Sequence, residues 1–589
     1  MQEFNIKIFW RKYVYRYVCE AERRRRPFVV VPAALFSFFM VLGYSYAETD
    51  SWSLVFGAGI VPFLKACVKF AVFFALFYYV ISFLYCKFDD ITLSGPFSKA
   101  VRNDSKKHLF GRYIALVSRY PFRTSFLTLF IAYIPYIIVS YPAILMPDQV
   151  YQILDTYPNL EYIGIQYLKG HLLSDQIYLN THHPIMHTLL LRAFLEIGTV
   201  VFHSFNVGLF LFATAQFLFV ISAVSYGIRI LVIRTPVPDK YIPFILLYYI
   251  ISPNIQNYMF LLTKDVIYVV FVFYFTLSLY LVVTSSECRY RIMFVISGLG
   301  IVLFRNDGRY SLIIALSVLA LLYRRQRKFL LKYLAGIVVF CLLFFRVLLP
   351  MYHVTPGSIR EVLSVPFQQT ARYIIEHGED VTAEERTAID TVLDYDHMIK
   401  FYNPHLSDNV KATYNENSTP DDLLRYFKVW FQMLRKHPDS YIQAYINNYY
   451  YYLYPGPILF YDYCYQPSER CMDLLNRVMA PLGADFHYPS SLYTARMQYE
   501  LFREDYMYVP PVILLMYSPT YTWLLTLLLL YGIYKKIPQA IGLLVFPVLV
   551  VCMCMVSPCN GFYFRYLYPV IFIFPVLISL FFSAKRIAT

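Results

Sequence analysis

The chain has 589 residues, of which 58% are hydrophobic and only 15% charged, with a net charge of +14. A soluble domain carries about 25% charged residues, so this composition excludes a soluble enzyme and points to a membrane protein. The basic residues concentrate in short loops between apolar stretches, and no basic-aromatic platform or nucleic-acid motif accompanies them; the charge reports topology, and no nucleic-acid partner is expected.

At the N-terminus Phe4, Ile8, Phe9, Tyr13 and Tyr17 recur at near-helical spacing among Lys7, Arg11, Lys12 and Arg16. This predicts an amphipathic helix on the inner leaflet, and the run Arg23–Arg26 argues against a cleavable signal. Apolar spans are then expected at 28–47, 60–86, 124–145, 205–232, 241–262, 266–284, 292–304, 310–323, 329–350, 511–534, 537–556 and 563–584. The fold class is therefore a polytopic α-helical membrane protein of about twelve transmembrane helices. The basic loop 87–123, Arg324, Arg325, Arg327, Lys328, Lys535, Lys536, Lys585 and Arg586 fall on one side, which places both termini in the cytoplasm. Four regions follow: 1–123, an amphipathic segment, two spans and a basic loop; 124–350, a seven-span module with an external loop 146–204; 351–510, a mainly helical external domain; and 511–589, three closing spans. Segment 184–202 reads as a helix lying at the outer interface, because counting it as a span would invert every basic loop after it. In the external domain, helices are expected at 383–393 and 421–436, the latter opening with Ser418-Thr419-Pro420-Asp421 as an N-cap signal. Cys464 and Cys471 fall in the same domain at a spacing that permits a disulfide, and Cys559 is a further external cysteine.

Several polar residues fall where a membrane would forbid them without a purpose. The spans 292–304 and 310–323 hold about thirteen residues each, roughly 20 Å of helix, against a hydrocarbon layer of about 30 Å. Their tip, Arg305-Asn306-Asp307-Gly308-Arg309, is thus expected below the outer membrane surface, facing a wet cavity or a charged ligand. Span 241–262 is interrupted by Pro253, Asn254, Gln256 and Asn257 and runs into Lys264-Asp265, as spans do where they line a cavity. Asp148 opens the external loop just beyond the span 124–145. A carboxylate so placed can act as general base, taking a proton from an attacking hydroxyl. Lys264, Arg305, Arg309 and Arg565 fall at external helix ends and could bind a phosphate leaving group. Asp265 and Asp307 would support them as ion-pair partners, and His182, His183 and His187 would bind an acceptor or order the start of the following helix. Pro184 stands where a zinc-protease helix needs Glu, so no metal is assigned to these histidines and no cofactor is expected, a divalent metal remaining a minor alternative. There is no Gly-rich phosphate loop and no nucleotide-binding βαβ pattern, which favours a lipid-linked donor over a nucleotide sugar.

These features resemble the bacterial membrane glycosyltransferases of the C-type (GT-C) fold, the superfamily of protein O-mannosyltransferases and the aminoarabinose transferase of lipid A. The resemblance rests on Asp148 in the first long external loop, on the stretch from His183-Pro184-Ile185-Met186-His187 to Leu191, similar to that family's His-Pro-Pro-Leu turn, and on seven spans ahead of an external domain. The segments Thr263-Lys264-Asp265, Phe304-Arg305-Asn306-Asp307-Gly308 and Leu363 to Arg372 look closest to the DUF6020-like subgroup. Two spans precede the shared module, and Ile185 stands where the family has its second proline. The resemblance implies inverting transfer of a sugar from a polyprenyl-phosphate donor to a cell-envelope glycan, lipid or protein acceptor, at the outer face of the bacterial cell membrane among its lipids, with Asp148 as base. The alternatives are a transporter or flippase of lipid-linked sugars, which would show two related halves and midplane charges, and a membrane O-acyltransferase, which would carry a catalytic His within a span.

Overall fold

The computed structural model describes residues 26–57, 59–93, 108–156, 179–456, 473, 475–476, 486–556 and 564–588. The expected N-terminal amphipathic helix, the middle of the 146–204 loop with Asp175, and Cys464, Cys471 and Cys559 lie outside these residues. The described residues are almost entirely helical and contain no strand.

In chain order, α1 (Arg26–Thr49) packs along α2 (Ile60–Leu93), and α3 (Leu109–Arg119) leads into α4 (Pro121–Val139). The short α5 (Pro147–Leu154) and α6 (Ile185–Glu196) flank the external loop, and α7 (Phe205–Arg234) follows. Next come α8 (Ile242–Ile251), α9 (Pro253–Met259), α10 (Lys264–Thr284), α11 (Cys288–Phe304), α12 (Gly308–Leu322) and α13 (Arg327–Leu343). The segment 351–510 contributes α14 (Ser364–His377), α15 (Ala383–Asp390), α16 (Tyr395–Phe401), α17 (Pro420–Lys436), α18 (Pro438–Tyr449) and α19 (Tyr493–Met507). The chain closes with α20 (Pro510–Met516), α21 (Ser518–Lys535), α22 (Pro538–Val556) and α23 (Tyr568–Ala588).

Among the described residues seven helices are long and apolar enough to cross a membrane, or eight when α20 and α21, bent by 73° at Tyr517, count as one broken span. Helix covers most of each expected span, but a count of about twelve is not confirmed. The span expected at 241–262 is two pieces broken at Ser252-Pro253. α11 and α12 have 17 and 15 residues, longer than expected yet still short of the roughly twenty that a bilayer needs. The span expected at 124–145 stops at Val139, so Asp148 sits on the separate helix α5 rather than on the end of a span. The helices sort by burial: α10 is central, with most of its residues buried, whereas few residues of α2 and of Arg327–Met351 are buried, so their apolar side chains are left exposed.

Segment 363–441 packs around a core of its own that includes Phe367, Ile389, Met398, Tyr426 and Met433. Its helices start where side chains satisfy the free backbone N–H groups. Thr419 and Asp422 form a reciprocal capping box at α17, and Thr382 and Glu385 do so at α15. Around the future site, the chain beyond α4 is clamped to the stretch ahead of α10. Ile144 N–H donates to Phe260 O (3.0 Å), and Leu262 N–H donates to Ile144 O (3.2 Å). This two-bond bridge sets the N-terminus of α5 beside that of α10. Arg496 of α19 donates to Val139 O (2.7 Å) and to Tyr141 O, holding the same loop from the other side.

Candidate functional site

Asp148 is the second residue of α5, behind Pro147, and Lys264 and Asp265 open α10 behind the N-cap Thr263. Carboxylates are favoured in a first helical turn by the unpaired N–H groups there. Arg305 ends α11, and Arg565 precedes α23 in a short turn, Phe564–Tyr566. These four chain segments converge on a run of alternating charges. Arg565 Nη1 donates to Asp148 Oδ2 (2.8 Å) and its Nε to Asp265 Oδ2 (2.5 Å). Arg305 Nη1 donates to Asp265 Oδ1 (3.1 Å) and its Nε to Asp307 Oδ1 (2.7 Å). Thr263 Oγ1 adds a hydrogen bond to Asp265 Oδ2 (3.0 Å). Asp265 is thus fully engaged, with 2% of its side chain exposed, while Asp148 keeps 39% exposed. Burial alone would raise the Asp148 carboxyl, but the Arg565 guanidinium, which also donates to it, and the Lys264 ammonium overcome this and hold the group well below the usual carboxylate range.

Lys264 differs from the two arginines. Among the described residues it makes no carboxylate pair, and its Nζ lies 3.2 Å from His183 Nδ1. An ammonium can only donate, so His183 accepts at Nδ1 and carries its proton on Nε2. Burial and then Lys264 hold the His183 ring below its ordinary value, which keeps it neutral. The turn that carries it is anchored by Asn306, whose Nδ2 donates to Thr181 O (2.7 Å) and His182 O (3.2 Å). The tip of the α11–α12 hairpin therefore supplies both Arg305 and the support for the histidine turn. His182 packs edge-to-face on His183, with ring centroids 4.7 Å apart, and burial lowers its basicity too.

Two expected residues lie apart from this cluster. Arg309 turns its guanidinium over Phe345, 4.3 Å from the ring centroid, and donates to Tyr310 OH (2.9 Å). Beyond the hairpin turn that carries Arg305, its guanidinium thus packs on aromatic rings and away from the carboxylates of the cluster. His187 is fully buried, 3.1 Å from Gln152 Oε1 through Nδ1, and burial pushes it down to about 3. Gln152 in turn donates to Thr188 Oγ1 (2.7 Å), so this histidine ties α5 to α6. The polar residues that interrupt α8–α9 also bond to protein: Asn254 donates to Leu515 O (2.9 Å), and Asn257 Oδ1 accepts from Arg503 (3.1 Å).

Sequence reasoning missed the aromatic walls. Arg305 lies 5.1 Å from the Tyr268 ring centroid and 5.7 Å from that of Tyr566. These rings, with Asp307, Ser311, Val550 and Cys554, line a small pocket of about 10 Å³ beside Arg305, room for a single water. Tyr268 lies one helical turn beyond Lys264, a spacing visible in the sequence, but nothing local links it to Tyr566. The missing signal is tertiary.

The fold and this cluster define a class: a helical protein, with several helices fit to cross a membrane, that gathers Asp148, Lys264, Asp265, Arg305 and Arg565 where helix ends meet. The chain belongs to the DUF6020 family, a family of unknown function, whose model matches residues 20–589. No curated protein and no solved structure matches it.

Proposed function

We propose that this protein is an inverting glycosyltransferase that moves a sugar from a polyprenyl-phosphate donor to an acceptor of the cell envelope. In this reading it spans the bacterial cell membrane about twelve times, with both termini in the cytoplasm and the Asp148 cluster on the outer face. The observation that carries the reading is the 2.8 Å pair between Asp148 and Arg565, with Lys264 alongside and without a carboxylate of its own. A carboxylate and phosphate-binding cations meet at one place, as attack on a sugar phosphate requires.

Asp148 takes the proton of an acceptor hydroxyl, and the oxygen attacks C1 from the face opposite the phosphate. The C1–O bond breaks, and its electron pair leaves with the lipid phosphate. The negative charge that grows there is met first by Lys264, which among the described residues makes no carboxylate pair, and by Arg565. An incoming phosphate draws Arg565 away from Asp148. Losing that partner, the carboxylate regains basicity when the donor is bound. Arg305 is held by two carboxylates and supports Asp265 rather than the phosphate. Arg309 takes no part in phosphate binding, and His183 offers its Nε2 proton to the donor or the acceptor.

The test is to incubate purified protein with labelled polyprenyl-phosphate sugars and a cell-envelope extract. Release of polyprenyl phosphate and labelling of an acceptor would support transfer. Movement of intact lipid-linked sugar across vesicles without bond cleavage would establish a flippase instead.

A further inference from the structure

A second polar cluster lies in the segment 363–441. α14 ends at His377, and Asp380 follows in the next turn. His437 is the single residue between α17 and α18. The chain crosses itself here, and the imidazoles of His377 and His437 lie face to face, with centroids 3.6 Å apart and planes 4° from parallel. Asp380 Oδ2 is 2.7 Å from His437 Nε2. One nitrogen from each ring and one oxygen of Asp380 all lie within 4.8 Å of one another. Among the described residues the His377 ring makes ring contacts with His437 and with Tyr373 at 5.7 Å and its nitrogens hold no hydrogen bond. The crossing is latched independently: Lys436 Nζ donates to Asp380 O (2.9 Å) and pairs with Glu385 (2.8 Å).

We propose that His377, Asp380 and His437 bind one divalent transition-metal ion of the zinc type. Two imidazoles and a carboxylate make a borderline donor set that suits zinc, nickel or cobalt, whereas magnesium and calcium take oxygen ligands. Binding requires the two imidazoles to swing out of their parallel stack, so that a nitrogen of each and the Asp380 oxygen, now within 4.8 Å of one another, point at one ion at about 2.0–2.2 Å. Asp380 is 55% exposed, so at least one coordination position faces solvent and takes water or a ligand from outside. The ion would pin the end of α14 to the α17–α18 corner and so brace the core of Phe367, Tyr426 and Met433. No member of the triad contacts the Asp148 cluster, so this inference stands apart from the proposed transfer reaction.

The experiment uses untagged full-length protein in detergent micelles, stripped with a chelator and then dialysed against zinc with magnesium in excess. Metal content and thermal melting are read for wild type, His377→Gln, His437→Gln and the double variant. The expected result is one zinc per chain in wild type, a melting temperature that zinc raises, and loss of both effects in the double variant, whose metal-free melting stays near that of stripped wild type. A wild type that retains no zinc overturns the proposal, as does a double variant that retains as much zinc as wild type. Should the variants fail to fold, cobalt-loaded wild type decides: visible bands of a nitrogen-ligated ion support the site, and the spectrum of hydrated cobalt rejects it.

Discussion

Asp148 and Asp265 are both aspartates at helix starts beside Arg565, yet their surroundings give them different work. Asp265 accepts from two arginines and a threonine with almost no exposure, so removing its charge takes one of two carboxylates from each buried arginine, leaving Arg305 only Asp307 and Arg565 only Asp148. Leaving a buried charge wholly unpaired costs about 3–5 kcal/mol, an upper bound for this change. Asp265→Asn should therefore lower the melting temperature and weaken donor binding together, and a variant that melts like wild type would show the cluster to be looser than described. Asp148 is the open member. Asp148→Asn keeps its size and should leave folding and donor binding near wild type while activity falls about 10²–10⁴-fold, the usual contribution of a positioned base. Asp155, in the same loop, behaves differently again. Burial pushes its carboxyl from 3.8 up to about 7, against a hydrogen bond from Asn180. A folded value above the unfolded one means that the fold holds an extra proton between them. Its contribution to stability is whole below 3.8 and is lost as pH rises through about 7. Asp155→Asn should flatten the fall in melting temperature across that window; an unchanged slope would assign the pH dependence to another group. The sequence placed Asp148, Lys264, Arg305 and Arg565 at helix ends facing one region, and the structure brings these four together. It could not separate Arg305 from Arg309, because only packing against Phe345 decides which way each guanidinium turns.

At the scale of elements, the α11–α12 hairpin is the part that positions the site. Its sharp tip depends on Gly308, where a Cβ would sit 2.5 Å from the backbone oxygen of Ile301. A methyl group there must push the two helices apart at the point where Arg305 and Asn306 are fixed. Overpacking of this kind costs about 1–3 kcal/mol. Gly308→Ala should reduce donor affinity as well as stability, and normal donor binding in this variant would detach the hairpin tip from the site. The short length of this hairpin was legible from its apolar runs, although both helices start earlier than the sequence suggested. The bridge between Ile144 and Phe260–Leu262 was not legible, since extended backbone within an apolar run has no periodic signature. The face-to-face pair of His377 and His437 was equally hidden, because the end of α14 and the α17–α18 corner lie far apart in the sequence.

For the whole molecule, composition and apolar runs were enough to mark where helices form, because about twenty apolar residues in a row leave few other structures. The count of about twelve is not confirmed: the expected spans 241–262 and 511–534 are each broken in two and 292–304 and 310–323 are short, and hydrophobicity alone does not distinguish a crossing helix from a buried half-helix. The orientation rests on the distribution of Lys and Arg. Cysteines introduced at 87–93 and 324–328 should be shielded from impermeant reagents in intact cells, and those in 383–401 should react; the reverse pattern would put the Asp148 cluster on the cytoplasmic face, away from any exported acceptor.

The most direct measurement of the central claim is release of polyprenyl phosphate from labelled polyprenyl-phosphate sugars by the purified protein, with wild type and Asp148→Asn side by side. Transfer by wild type with inversion at C1, falling at least about a hundredfold in Asp148→Asn while donor binding persists, is the predicted result. Equal turnover by the two proteins, or cleavage that retains the configuration at C1, would contradict it.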